Sequence, residues 1–386
     1  MIRSLILVSL AACNAGGPGD ARIPEDTDTD TDEVANTPPT LPTDPCEPFD
    51  PAFQQELQAG LEAAMVEQGF PGAALAVNRP STHQCWASTV GDANLEGPVP
   101  WTVETPYPIG SVSKTFTTAI LMQLAEEGVL TLDDPIEDWV TTVWAGEGLT
   151  LRHLMQHTSG IVSYNYVGSM DKTRSWTPQE LVDWAAQEGA DLLFAPGSTW
   201  EYSNTNFVLL GMTIEAATGR SFETELQERL LDPVGLNHTW MATENPPDLV
   251  RGYIGDPLVD STDTDHPTIG WAAGGIISTP AEAAAWGAAL FRGGLLSPAT
   301  LTEMTTPLII DDVDVGYGLG LFGTNDPEFG PHWGHTGGTG GHVTYMYYLE
   351  RNDAVVVAML NTFEHDLDKL AEAAWIPIID GGPVAR

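Results

Sequence analysis

Strand-forming and helix-forming stretches are segregated along this chain, with strands toward both ends and helices in the middle. Near the start, 72–77 and 85–90 read as two short strands on either side of a polar turn with Pro80. Near the end, 342–349 is rich in β-formers, 350–353 reads as a turn and 354–360 is a continuous apolar run, which predicts a buried hairpin. Between about 131 and 268 the patterns are mostly helical, among them 178–187 and 206–217, joined by loops rich in Pro, Gly and Asp. Two further helices frame the strands. Phe53, Leu57, Leu61 and Met65 recur every four residues before the breakers Gly69 and Pro71, and Leu367, Leu370, Ala374, Trp375 and Ile378 fall at spacings of three and four. The expected class is therefore α+β: an antiparallel sheet flanked by N- and C-terminal helices, with a large helical insertion subdomain at about 131–268 and a cleft between the two parts.

Charge narrows the partners. The 386 residues hold 54 Asp and Glu against 14 Lys and Arg, a formal charge of −40, whereas nucleic-acid binding depends on cations that neutralise phosphates. Nucleic acid is excluded on that ground, and a solvated surface suited to a salty or extracellular setting is expected; a surface specific for a cationic partner is the alternative.

The first residues carry one cation, Arg3, then Leu5-Ile6-Leu7-Val8 and Leu10-Ala11-Ala12-Cys13. Residues 1–13 read as an export signal, too short to span a bilayer as a permanent helix. Leu-Ala-Ala-Cys resembles the lipobox of bacterial lipoproteins, which implies lipidation of Cys13 and membrane contact only through that lipid, on the periplasmic or cell-surface side. An ordinary cleaved signal peptide is the alternative. Residues 14–45 have almost nothing apolar to bury and read as a disordered Asp/Thr/Pro-rich linker. Its Asp-Thr repeat lacks the turn glycine and terminal glutamate of a calcium loop. The folded unit is expected over 46–382. With Cys13 lipidated, Cys46 and Cys85 remain as a pair in an oxidising compartment, and a disulfide between them is expected, two buried thiols being the alternative.

The chemistry centres on Pro108-Ile109-Gly110-Ser111-Val112-Ser113-Lys114, which precedes a helix with the apolar stripe Phe116, Ile120, Leu124 and a C-cap at Gly128. Residues three apart share a helix face, so the Ser111 hydroxyl and the Lys114 amine can meet. A serine needs a base, and a lysine serves as one where burial or a neighbouring cation favours its neutral form. Free N–H groups of the first helical turn add positive charge where an oxyanion would form. Only three lysines exist, Lys114, Lys172 and Lys369, and one occupies this position.

Ser-x-x-Lys alone is common, but here Tyr202-Ser203-Asn204 follows some ninety residues on, and His335-Thr336-Gly337-Gly338 stands just before the C-terminal hairpin. This ordered set resembles the serine β-lactamase and penicillin-binding protein superfamily over about 51–380, particularly the branch with class C β-lactamases, DD-carboxypeptidases, D-aminopeptidases and esterases. Leu154-Met155-Gln156-His157-Thr158-Ser159-Gly160 and Gly274-Gly275-Ile276-Ile277-Ser278-Thr279 also look like that family, in structural roles, with His157 packed or capping. The resemblance implies that Ser111 is the acylated nucleophile, Lys114 its proton acceptor or electrostatic partner, and Tyr202 a second base. It implies that Asn204 orients a substrate amide, that His335, Thr336, Gly337 and Gly338 line the substrate site, and that the N–H groups of Ser111 and Gly338 form the oxyanion hole. It implies no cofactor.

His335 stands where β-lactamases carry a lysine, and a histidine near pH 7 supplies that charge only in part. Cleavage of a D-amino-acid peptide or amide, or of a small ester, is therefore expected ahead of β-lactam breakdown. A β-lactamase remains one alternative, and a non-catalytic surface lipoprotein that binds peptidoglycan or peptide another. Metal ligation by His153 and His157, or by His332, His335 and His342, is set aside because no carboxylate or thiolate stands at ligand spacing. Gly318-x-Gly320-x-x-Gly323 spells a dinucleotide motif, but 324–327 cannot open a helix, so strand glycines or a bulge are expected. No Gly-x-Ser-x-Gly is present. Specificity is expected in the loops 164–177 and 245–265.

Overall fold

The apolar run Ala354–Leu360 is continuous because it is a strand buried on both faces. Val355, Val357 and Met359 join one hydrophobic core, and Val356, Ala358 and Leu360 join another across the sheet. The computed structural model describes residues 46–309, 315–326 and 330–380. Cys13, the signal at 1–13 and the linker at 14–45 lie outside the described residues, as do 381–382 of the expected unit.

The main sheet contains β1 (Glu47–Pro48), β2 (Gly72–Arg79), β3 (Gln84–Asn94), β4 (Leu308–Ile309), β5 (Val315–Tyr317), β6 (Phe322–Asp326), β7 (Gly330–Thr339), β8 (His342–Leu349) and β9 (Ala354–Leu360). They lie in the order β1-β3-β2-β9-β8-β7-β6-β5-β4. Every pair is antiparallel except β1 with β3, so the expected antiparallel sheet has one short parallel edge. The Cys46–Cys85 disulfide ties the chain to β3 beside that edge.

Helices α1 (Pro51–Gln68) and α7 (Leu367–Asp380) cover one face of the sheet. In α1, Asp50 accepts from the N–H groups of Ala52 and Phe53, Pro51 opens the first turn, and Gly69 ends the helix in the left-handed conformation. Phe53, Leu57 and Leu61 of α1 meet Leu367, Leu370, Ala374 and Trp375 of α7 in the second core. The other face carries α2 (Ser113–Glu126), α6 (Pro280–Arg292) and the insertion, which includes α3 (Leu151–Met155), α4 (Pro178–Glu188) and α5 (Asn204–Thr218). From Ser113 to Met122 every side chain of α2 is buried, because this helix lies between sheet and insertion. Phe116 stacks on Trp286 of α6 with ring centroids 3.8 Å apart. The result is an α+β fold in which a helical insertion faces the sheet across a cleft. Gly318 and Gly320 fall in the turn after β5 and Gly323 lies in β6, so the dinucleotide-like spelling belongs to strands.

Candidate active site

Ser111 lies in the 3-10 turn Gly110–Val112 that runs into α2, and Lys114 in the first turn of α2. The three-residue offset brings them together as expected: Lys114 Nζ donates to Ser111 Oγ at 2.9 Å. It also donates to Asn204 Oδ1 at 2.7 Å and to the Ala273 carbonyl at 2.6 Å, so three donors meet three acceptors. Lys114 is fully buried and Ser111 is 9% exposed, at the floor of the cleft.

Asn204 begins α5, and both ends of its side-chain amide have protein partners. Its Oδ1 accepts from Lys114, its Nδ2 donates to Asn165 Oδ1 at 3.0 Å, and its backbone N–H donates to Ser163 Oγ at 3.0 Å. Asn204 thus positions Lys114 as well as lining the cleft. Asn165 was not singled out by the sequence; only its place in the 164–177 loop marked it. The Ala273 carbonyl comes from the short helix Trp271–Gly274, one residue before the Gly274–Thr279 stretch expected to be structural, and supplies a direct acceptor to the lysine.

Tyr202 packs behind Lys114, whose Nζ stands 4.9 Å from the ring centroid. Its hydroxyl is buried, and the residue does not line the cleft. His157 holds this segment from below. Its Nδ1 accepts from the Ser203 N–H at 3.2 Å, and its ring lies 4.3 Å from that of Tyr202. Burial first, then the charge of Lys114, holds its imidazole well below the usual histidine range, so it is neutral.

Two glycines let β7 close on the nucleophile turn. Gly110 has φ +53°, and a Cβ there would stand 2.6 Å from the Gly338 nitrogen. A Cβ on Gly337 would stand 2.0 Å from the Ile109 carbonyl oxygen and 3.0 Å from the Ser111 nitrogen. The Ser111 and Gly338 N–H groups are thereby brought beside one another at the cleft.

His335 departs from its expected place. It is fully buried and does not line the cleft; its ring packs among Tyr202, Tyr317 and Phe322. The Nδ1 bonds the Thr336 carbonyl and the Nε2 lies 3.2 Å from the Tyr317 hydroxyl. Burial, and then Lys114, lowers its pKa to about 3, so it supplies no positive charge near pH 7, not even in part. The strand is covered on both faces here, since 334–337 are buried in succession, and a sequence does not register that cover. Thr336 is buried as well, and among these four residues Gly338 lines the cleft.

The cleft measures about 710 Å³, part of it open to solvent. Ser111, Gly338 and Thr339 border it from the sheet side, Asn165, Asn204 and Asp265 from the insertion side. The two expected specificity regions meet here. The His266 N–H donates to the Lys172 carbonyl at 2.7 Å, and the Trp176 N–H to Thr268 Oγ1 at 2.9 Å. The other histidines weighed from the sequence have protein partners of their own. His153 Nδ1 accepts from the Thr150 N–H, His332 Nδ1 bonds the Gly330 carbonyl, and the nitrogens of His342 face the Thr339 and Val250 carbonyls. Among the described residues no helix is long and apolar enough to cross a membrane.

The family model described as Beta-lactamase matches residues 53–376. Penicillin-binding protein 4* of Bacillus subtilis (strain 168) is 27% identical over 285 residues, covering 69% of this chain; the chain spans 63% of that relative's length. A D-stereospecific amidohydrolase from Streptomyces sp. is similar in structure, with a TM-score of 0.72 and 33% identity over 83% of this chain and 98% of that one. The D-amino acid amidase from Ochrobactrum anthropi SV3, complexed with L-phenylalanine, gives a TM-score of 0.76 and 27% identity over 85% and 98% of the two chains. Motif order, fold and these likenesses agree: the chain belongs to the serine β-lactamase and penicillin-binding protein superfamily, in its class C-related branch of hydrolases.

Proposed function

We propose that this protein is an exported serine hydrolase that cleaves amides or short peptides of D-amino acids through an acyl-enzyme on Ser111. The contact that carries the reading is Lys114 Nζ at 2.9 Å from Ser111 Oγ, with the lysine held by Asn204 and Ala273. At rest Lys114 is an ammonium that donates to all three acceptors; once it has released one proton to solvent, the neutral amine left beside Oγ takes the Ser111 proton as Oγ attacks the substrate carbonyl. The tetrahedral oxyanion is stabilised by the N–H groups of Ser111 and Gly338, and the proton passes to the departing amine as the C–N bond breaks. Water then cleaves the ester, its proton returning to Ser111. Lys114 is the base in this reading because its Nζ stands 2.9 Å from Ser111 Oγ, and Tyr202, whose ring centroid is 4.9 Å from the same nitrogen, keeps its expected role of second base.

Two relatives whose names specify D-stereospecific or D-amino acid amide substrates support the substrate class. The neutral, buried His335 disfavours the β-lactamase alternative, which needs a cation for the antibiotic's carboxylate. Export is supported by the N-terminal apolar run and the Cys46–Cys85 disulfide, and the lipid on Cys13 by the resemblance of Leu10-Ala11-Ala12-Cys13 to a lipobox.

The test is turnover of a nitrophenyl acyl ester, with mass spectrometry of the protein during turnover. The wild type is expected to carry an acyl adduct on Ser111, and Ser111→Ala to lose both adduct and turnover. Equal inertness of the two proteins with no adduct would leave the non-catalytic binding lipoprotein as the reading.

A further inference from the structure

We infer that Asp265 binds the free α-ammonium group of the substrate, so the enzyme acts on amides of D-amino acids with an unblocked amino end rather than on acylated peptides with a free carboxyl end. This rests on the Ser111 reading and names the substrate class of the same cleft.

The first support is the charge of the lining. Among the described residues that border the cleft, Asp265 is the one carboxylate, and there is no Lys or Arg. A substrate ending in a carboxylate would meet a lining whose one charged side chain is a carboxylate, with no guanidinium in it, and whose nearest exposed ammonium, Lys172, lies beyond the lining on the far side of its pairing with Asp265. His335 is neutral and buried, and Lys114 is enclosed, its three donors already committed to Ser111, Asn204 and Ala273. An ammonium, by contrast, finds a half-buried carboxylate.

The second support is how Asp265 is held. The hydrogen bond from His266 N–H to the Lys172 carbonyl fixes the backbone next to Asp265 against the 164–177 loop. Its side chain is 27% exposed, and its nearest cation is Lys172, with Nζ 3.6 Å from Oδ1. That distance exceeds a good hydrogen bond, and the lysine side chain is 42% exposed, so the pair contributes little and leaves the carboxylate available to a better-placed donor. Asp265 also acts on the wall beside it: burial first, then the Asp265 charge, pushes the Tyr164 phenol well above its usual value. Tyr164, which donates to the Ile269 carbonyl, therefore stays a neutral wall and adds no competing anion.

The experiment compares kcat/KM for D-alanine p-nitroanilide and for its N-acetyl form, in wild type, Asp265→Asn and Lys172→Ala. Wild type is expected to prefer the free amine by roughly ten- to hundredfold, the scale of one charge-assisted hydrogen bond. In D265N that ratio is expected to fall toward one, while in K172A it is held or rises because the competing cation is gone. An unchanged thermal midpoint in D265N separates loss of recognition from loss of fold, and the ratio is internal to each protein. No preference in wild type, or a ratio that survives D265N, would overturn the inference. So would an enzyme that acylates Ser111 with the nitrophenyl ester yet hydrolyses neither anilide; that result would leave the nucleophile standing. Absence of any Ser111 adduct would instead defeat the underlying reading.

Discussion

Gly110→Ala tests whether the close approach of β7 to the nucleophile turn is what assembles the site. Two costs are separable. At φ +53° an alanine pays the left-handed penalty, about 1–2 kcal/mol. Its Cβ would also stand 2.6 Å from the Gly338 nitrogen and 3.1 Å from the Gly337 carbonyl carbon, so strand and turn must separate by roughly 0.8 Å to reach ordinary contact. That shift moves the Gly338 N–H away from the Ser111 N–H. Loss of one oxyanion donor is worth about 100- to 1000-fold in kcat. The expected result is a fall of that order in kcat for the nitrophenyl ester, with a stability loss of about 1–3 kcal/mol. Gly128→Ala is the matched control. Gly128 has φ +69° at the far end of α2 with nothing within 4 Å of its Cβ position, so it pays the backbone cost alone. Steady-state kinetics and urea unfolding of both variants decide the matter. If G110A keeps kcat within about threefold of G128A, the glycine is there only for its backbone angle and the oxyanion argument fails.

Asp368, on the first turn of α7, is 6% exposed, and its Oδ1 has no hydrogen-bond partner among the described residues. Burial first, then Asp366 and Glu372, raises its pKa to about 7, so the folded state holds a proton that the unfolded chain releases near pH 4. The stability penalty grows from pH 4 to pH 7 and is constant above, so Asp368→Asn is expected to be more stable than wild type by about 2–4 kcal/mol at pH 8 and equal to it below pH 4, read by urea unfolding across pH; a difference independent of pH would refute this. Cys13→Ser is expected to abolish incorporation of labelled fatty acid in a bacterial host that processes lipoproteins, and labelling that persists in the variant would refute the anchor.

How much of this was legible depended on whether a feature is local. The helix from Phe53 to Leu61 and the Ser111–Lys114 contact follow from spacing on one element, and both stand as expected. The run 354–360 showed that it was buried, although only the structure shows that its two faces feed different cores. The short strands Tyr107–Pro108, Trp240–Met241 and Ile276–Ser278 form a separate small sheet, and none is long enough to leave a two-residue period. Non-local consequences were illegible for a stronger reason. His335 matches a motif position by spelling, but its charge state depends on Tyr317, Phe322 and Tyr202, which come from three other parts of the chain. The same holds for the lysine. Its acceptors on Asn204 and Ala273 are 90 and 159 residues away, and Ala273 contributes a backbone carbonyl, which any residue type could provide. A motif therefore names the atoms that react, while the environment that sets their protonation is assembled from residues with no signature of their own. Reading a departure such as histidine for lysine at 335 as a weaker cation understated it, because burial converts a partial charge into none. On the proposed function, that difference favours an amine-bearing substrate over a carboxylate-bearing one.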